Sequence, residues 1–574
     1  MVPILVVGID FGTTYSGWAY LLRSAFVDNP TKVIVRNWNG DQLMSSKAPT
    51  CLLIEPDGET FSAFGYDAEN KYISLVEDGE HDKWYFFKRF KMQLYNTDIK
   101  RDMEIKDETG KKLKANIVFS VAIRFLKDDL LQVIEDRLKG DLKPEDISWV
   151  LTVPAIWDDS ARQIMREAAE SAGISSDKLI IALEPEAAAI YCRFLPMEIS
   201  GQGGSLSTLE TGSKVLVVDA GGGTVDIAVQ EVAGSGSMKN IYKASGGDWG
   251  GTKVDDAYVT FVADIIGKDT IEEFKRSHMD DYVYMIRDFE MKKRGFDPLK
   301  INKSVIFRIS ATLPHIVKES KGKEIHDLIT DSPFKSTVSI TADKLRVDKN
   351  VVKNLIENQA DAIVDHVSSL LDQSTKDDIG TIVLVGGFNT CQLLQQAMKT
   401  KFDKHKIIIP TDPDLAVLKG AVIFGHKPEL ISQRVSKYSY GVNVRAVFIK
   451  KFHRETYKVK DEDGGDRCEN VFDKHITAGQ CLTVGEEQVS MYYSIATSSQ
   501  TTGPIRVYYT LDPDPMYVTD GGCHLAGTLN VPLEGRGTNR TIKARLIYGG
   551  TEIDVEATEV ATGKVHRLKI DFLS

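Results

Sequence analysis

Residues 215–229 read VLVVDAGGGTVDIAV. An apolar run ends at Asp219, a Gly221–Gly222–Gly223–Thr224 turn follows, and alternation resumes at Asp226: strand, tight turn, returning strand. Glycines reach φ > 0 and carry no Cβ, so successive amides of such a turn can close on a phosphate while Thr224 adds a hydroxyl. Asp219 and Asp226 flank the turn, and two carboxylates beside a phosphate suit a hydrated Mg²⁺. A solvated glycine hairpin would look similar, but the plan occurs twice. Residues 3–22, PILVVGIDFGTTYSGWAYLL, repeat it with Asp10 and a Gly12–Thr13–Thr14 turn. Two such units about two hundred residues apart predict a duplicated lobe and a cleft shared between the copies.

Composition agrees with a multidomain globular chain. The sequence has 574 residues, 42% of them apolar, and a formal charge of −11, which argues against a nucleic-acid footprint. Its six cysteines form no CxxC pair and read as reduced thiols of a cytoplasmic protein. No stretch reaches the ~18 apolar residues of a membrane span.

Between the two glycine turns the chain winds as α/β. Asn116–Leu138 has helical apolar spacing, Ile147–Val153 is a strand, and Asp158–Asp159–Ser160 offers a cap to a helix ending before Gly173. The strand 179–183 then ends at Glu184, a third candidate acid because ligands gather at the carboxyl ends of such strands. Residues 83–95, with WYFFKRFKMQLY, read as a half-buried helix, or as a segment sending Lys88 or Lys91 toward phosphates. After the central hairpin, Gly250 and Gly251 open a helix and suit close approach to phosphate. Glu290, Lys293 and Arg294 share a helix face, as a surface ion-pair cluster or a nucleoside clamp. The strand 381–387 ends in Gly386–Gly387, a third glycine turn. Asp412 or Asp414 is expected to cap the helix carrying Ala416, Gly420 and Ala421.

In order, the motifs DFGTTY (10–15), TVPAIWDDSARQ (152–163), LEPEAAAIY (183–191), DAGGGTVD (219–226), FEMKKR (289–294), VLVGG (383–387) and DPDLAVLKGA (412–421) resemble those of the seventy-kilodalton heat-shock proteins. These belong to the actin and hexokinase ATPase superfamily. The resemblance covers residues 4 to about 428. It implies two actin-like, ribonuclease H-like α/β lobes, divided here at 1–197 and 198–428, around an ATP or ADP cleft. In it Gly12–Thr14 would hold the β/γ phosphates, with Tyr15 beside them. Asp10, Glu184 and Asp219 would order the waters of Mg²⁺, and Asp226 would polarise the attacking water. Glu290, Lys293 and Arg294 would hold the nucleoside, with Gly386, Gly387, Phe388 and Asp414 on the second-lobe side. Pro154 and Arg162 match the family's relay from cleft to peptide domain.

The departures matter as much. Where the family has its catalytic lysine, this chain has Glu69, which must turn away from a γ-phosphate, leaving Lys71 or Lys88 as substitutes. Phe388 stands near the position of an adenine-stacking arginine. From Lys437 onward the period is that of antiparallel strands, read as a β domain over 429–574 with no helical lid, and the connector 427–434 (KPELISQR) lacks the Asp-Leu-rich linker of the family. Together these features look like the family's divergent protein 12 group. The expected activity is therefore a nucleotide-controlled monomer that binds proteins or peptides through its β domain, with weak hydrolysis, or a nucleotide-gated scaffold with none. Neither nucleic acid nor membrane is an expected partner.

Overall fold

The computed structural model describes residues 3–40, 43–138, 142–195, 206–234, 236–301, 303–372, 379–548 and 553–573. Both predicted hairpins form: Leu5–Phe11 with Tyr15–Leu22, and Lys214–Ala220 with Val225–Val232. Each first strand gains a parallel neighbour, Ile147–Val153 or Ile379–Val385, and beyond that another, Leu179–Leu183 or Lys406–Ile408. The two sheets share one strand order, as duplication requires. Strands covered on both faces need no polar side, hence the unbroken apolar run at 382–385.

Helices Ala115–Leu138 and Asp159–Ser171 pack with the first sheet in one core. Helices Glu184–Phe194 and Ala416–His426 lie between the lobes, where Val6, Ala188, Val217, Val383 and Ala421 share a single core. A Cβ on Gly420 would overlap the Ala187 carbonyl, so the two helix backbones touch there. Neither Asp412 nor Asp414 caps the second of these helices. Asp412 instead accepts from Tyr191 Oη at 3.0 Å and from Lys419.

The lysine-rich aromatic segment is not a helix. Tyr85–Lys88 is a strand against Cys51–Ile54, and Phe90–Leu94 is a short 3₁₀ turn entered through Arg89 at φ 51°. Phe86 and Phe87 point to opposite faces of that strand, so each is buried in a different core.

The C-terminal region is a sandwich of a five-stranded and a four-stranded sheet. Val442, Val507 and Val531 face Ile542, Ala544 and Val555 across its core. The strand Asp466–Ile476 escapes the sequence pattern because its pairing with Ser439–Val447 slips register twice, which breaks the alternation.

The connector docks although its sequence lacks the expected linker pattern. Ile431–Val435 adds to the second-lobe sheet beside Met238–Asn240, and Cys481–Thr483 pairs on its other edge. Arg434 grips Glu186 of the inter-lobe helix at 2.8 and 2.5 Å, both side chains being at most 3% exposed. Asn240 donates to the same carboxylate at 2.7 Å. The β region also lands on the first lobe. Asp158 makes no cap bond and turns to Lys437, Tyr440 Oη reaches Asp159 at 3.2 Å, and Arg101 and Gln163 hold Asp571. Leu573 joins the first lobe's core. No described helix is long and apolar enough to cross a membrane.

Candidate nucleotide cleft

A cavity of about 170 Å³ opens between the two glycine turns. Asp10, Gly12, Thr13, Thr14, Tyr15 and Glu184 line it from the first lobe, and Asp219, Gly221, Gly222, Gly223 and Thr224 from the second. Gly251, Glu290, Lys293, Arg294, Gly386, Gly387, Phe388 and Asp414 complete the wall. Asp226 and Gly250 are not part of the lining. Gly250 lies behind the central turn, where the amides of Gly250, Gly251 and Thr252 bond to the carbonyls of Gly223, Gly221 and Gly222.

The central glycines are needed for room rather than for φ. None of Gly221, Gly222 and Gly223 has positive φ. A Cβ on Gly222 would overlap Thr14, and one on Gly223 would come within 2.5 Å of Thr13 Oγ1 and Met92 Sδ. The two turns thus face each other at contact distance. The Gly222 and Gly223 amides donate to no described residue, while Gly221 closes the turn onto Thr224 O at 3.0 Å.

Four acids gather at this point. Asp10 accepts from Thr152 through Oδ1 at 3.0 Å and from Lys47 through Oδ2 at 2.6 Å. Glu184 accepts from Lys91 at 2.7 Å; burial still pushes its carboxyl up to about 7, helped by the charges of Asp226 and Asp10. Burial, then Glu184, Asp226 and Asp10, push Asp219 well up. Asp226 is also raised by burial, against the pull of the Ile156 amide bonded to its Oδ1 at 2.9 Å. Among the described residues its Oδ2 is buried without a hydrogen-bond partner, and Asp219 bonds to none of them. Crowded carboxylates with a free buried oxygen are short of positive charge, and their hard oxygen donors fit a hydrated divalent cation such as Mg²⁺.

Glu69 does turn away. Arg287 of the second lobe meets it at 3.0 Å and Lys88 at 2.9 Å. Burial alone would raise its carboxyl, but these two cations hold it down at about 2. Neither expected substitute reaches the cleft: Lys88 is spent on Glu69, and Lys71 lies 5.0 Å over the Trp84 ring. From the same segment Lys91 does reach it, buried, with its ammonium 5.2 Å from the Trp157 ring centroid. Sequence reading missed Lys47 altogether.

At the other end, Arg294 bonds Glu290 at 2.6 Å and sits 4.6 Å over the Tyr15 ring. Lys293 is buried, held by the Gly251 carbonyl at 2.9 Å and by Asp255. Phe388 lines the cleft and belongs to the second lobe's core. The triplet is thus in part the surface ion pair, an exposed Arg294 on Glu290, and in part a buried tie, Lys293 on Asp255.

The Hsp70 protein family profile matches residues 6–510. Heat shock 70 kDa protein 12A of Homo sapiens is 34% identical over 632 aligned residues, covering 100% of this chain and 92% of its own length. Heat shock 70 kDa protein 12B of the same species is 32% identical, covering 99% and 91%. The chaperone protein DnaK of Thermotoga maritima is 26% identical over 73% of this chain and 58% of its own. Hsp70 proteins bind ATP or ADP with Mg²⁺, and the mixed α/β fold with a β-rich C-terminal region agrees. The chain is a nucleotide-binding member of the Hsp70 family, of its heat shock 70 kDa protein 12 group.

Proposed function

We propose that this protein binds ATP or ADP with Mg²⁺ between its lobes and uses the nucleotide to control protein or peptide binding by its β region, with slow or no hydrolysis. The observation that carries the reading is the contact between two Gly/Thr turns at a cleft lined by Asp10, Glu184, Asp219, Lys47 and Lys91, with Asp226 just behind the lining. Amides of Gly222 and Gly223 and the hydroxyls of Thr13, Thr14 and Thr224 would meet the phosphates. Asp219 would meet the waters of a hydrated cation, beside Asp10 and Glu184, which are already bonded to Lys47 and Lys91; when bound, the cation supplies charge neutralisation across the phosphates. Asp226, whose Oδ2 is free, would accept the proton of a water. Tyr15 and Arg294 would flank the nucleoside with Glu290 near the ribose, and Phe388, Gly386, Gly387 and Asp414 would form the opposite side.

A bonded path supports the control. Asp226 accepts from the Ile156 amide, Arg162 donates to Ala155 O at 3.1 Å and to Asp159 at 2.9 Å, and Tyr440 of the β region reaches that same Asp159. The scaffold reading, with nucleotide gating and no turnover, is favoured by Glu69 being committed outside the cleft. Single-turnover hydrolysis of Mg-ATP, with calorimetric binding and Asp219→Ala as the blank, separates the readings. Turnover lost in the blank supports a slow ATPase; tight binding without turnover supports the scaffold; no nucleotide binding overturns both.

A further inference from the structure

Asp10 is already filled. Lys47 belongs to neither glycine turn; it lies just before the short strand Ala48–Pro49. Gly17 stands opposite Asp10 in the first hairpin, and a Cβ there would come within 3.1 Å of Lys47 Cγ. The lysine stem thus lies against Gly17, and the ammonium comes down on the carboxylate across the ladder. There Nζ meets Asp10 Oδ2 at 2.6 Å and the Asp414 carbonyl of the second lobe at 2.7 Å. With Thr152 on Oδ1, both oxygens of Asp10 are engaged. Lys47 is 15% exposed and Asp10 7%, so water screens the pair little. Lys91 holds Glu184 in the same way. Of the three acids suited to a hydrated cation, only Asp219 makes no hydrogen bond or ion pair among the described residues.

We propose that Lys47 is a built-in cation of the cleft: its ammonium takes the place at Asp10 that a metal-bound water would occupy, so that nucleotide phosphates bind here with little need of a divalent ion. The inference rests on the nucleotide reading above and adds a property to it. An ammonium fixed by two oxygen acceptors keeps protons directed at its neighbourhood and costs no metal dehydration, whereas Mg²⁺ gives up its waters reluctantly. A phosphate entering the cleft beside Thr14 and Gly222 meets a positive charge already in place.

The test is calorimetric titration of the full chain with ADP, once in Mg²⁺ and once in excess EDTA, for the wild type, Lys47→Gln and Lys47→Arg. The wild-type affinity is expected to change less than about fivefold between the two buffers, Lys47→Arg to behave similarly, and Lys47→Gln to lose more than about 30-fold in EDTA and recover most of it in Mg²⁺. Each ratio is internal to one protein, so a general loss of stability cancels, and melting curves without nucleotide identify a variant that does not fold. A wild type that loses more than about 30-fold in EDTA overturns the proposal, as does Lys47→Gln with the wild-type ratio. A wild type that binds ADP in neither buffer overturns the nucleotide reading itself.

Discussion

Glu69 and Lys91 show how one residue's chemistry can move within a fold. A carboxylate at position 69 would repel phosphate, yet its helix also faces the second lobe, where Arg287 and Lys88 give it a use as a tie across the outer rim of the cleft. Inside the cleft an ammonium comes instead from Lys91, on a 3₁₀ turn just past the strand that carries Lys88. Because its folded pKa lies below the unfolded value near 4.3, Glu69 contributes stability that is present above that value and lost as pH falls from about 4.5 to 2. Glu69→Gln is expected to cost about 3–5 kcal/mol at neutral pH, by leaving two partly buried cations without a counter-charge. Urea unfolding of both proteins at pH 7 and pH 3 checks this: the gap must narrow at pH 3, and an equal gap at both refutes the assignment. Gly223→Val, which would push against Thr13 and Met92, is expected to prop the turns apart and lower ADP affinity at least tenfold, read by calorimetry.

At the scale of elements, two contacts fix how the lobes and the connector meet. Gly420 lets helices 184–194 and 416–426 touch backbone to backbone, so Gly420→Val must separate them. A loss of more than about 3 kcal/mol, read by chemical denaturation, is expected from overpacking a site with no slack. On the connector, Arg434→Met strands Glu186 in the interior and is expected to cost about 3–5 kcal/mol, while the double change Arg434→Met/Glu186→Leu restores most of it. If the single and double variants are equally destabilised, the pair is not what holds the strand down. The hairpins, the crossing helices and the acids Asp10, Glu184 and Asp219 were legible because each is announced by local order: apolar runs, glycine turns and strand ends. Lys47 was not, because its place depends on Gly17 standing opposite Asp10, a fact that exists only once two strands have paired. The docked connector was illegible for a similar reason, since the partner of Arg434 lies 248 residues away in the chain. Residues 83–95 misled because a burst of aromatics and lysines carries no period of its own.

For the whole molecule, the β region is attached twice: to the second lobe through Ile431–Val435 and to the first through Lys437, Tyr440 and the stretch 569–573. Nucleotide binding that rotates the lobes therefore has to strain one attachment. Hydrogen exchange of residues 431–435 and 569–573, with and without ADP, is expected to change at one of them; unchanged protection at both would separate the cleft from the β region. Asp571→Ala removes the acceptor of Arg101 and Gln163 and is expected to raise exchange in 569–573 even without nucleotide.

That double attachment gives the β sandwich the mechanical role of a brace. It spans the hinge made by the two crossing helices, much as a strut spans a folding joint, and the joint can turn only as far as the strut yields. Any turning of one lobe against the other would load the sandwich, so a ligand that wedges or slackens its sheets is expected to change nucleotide affinity with no contact to the cleft itself.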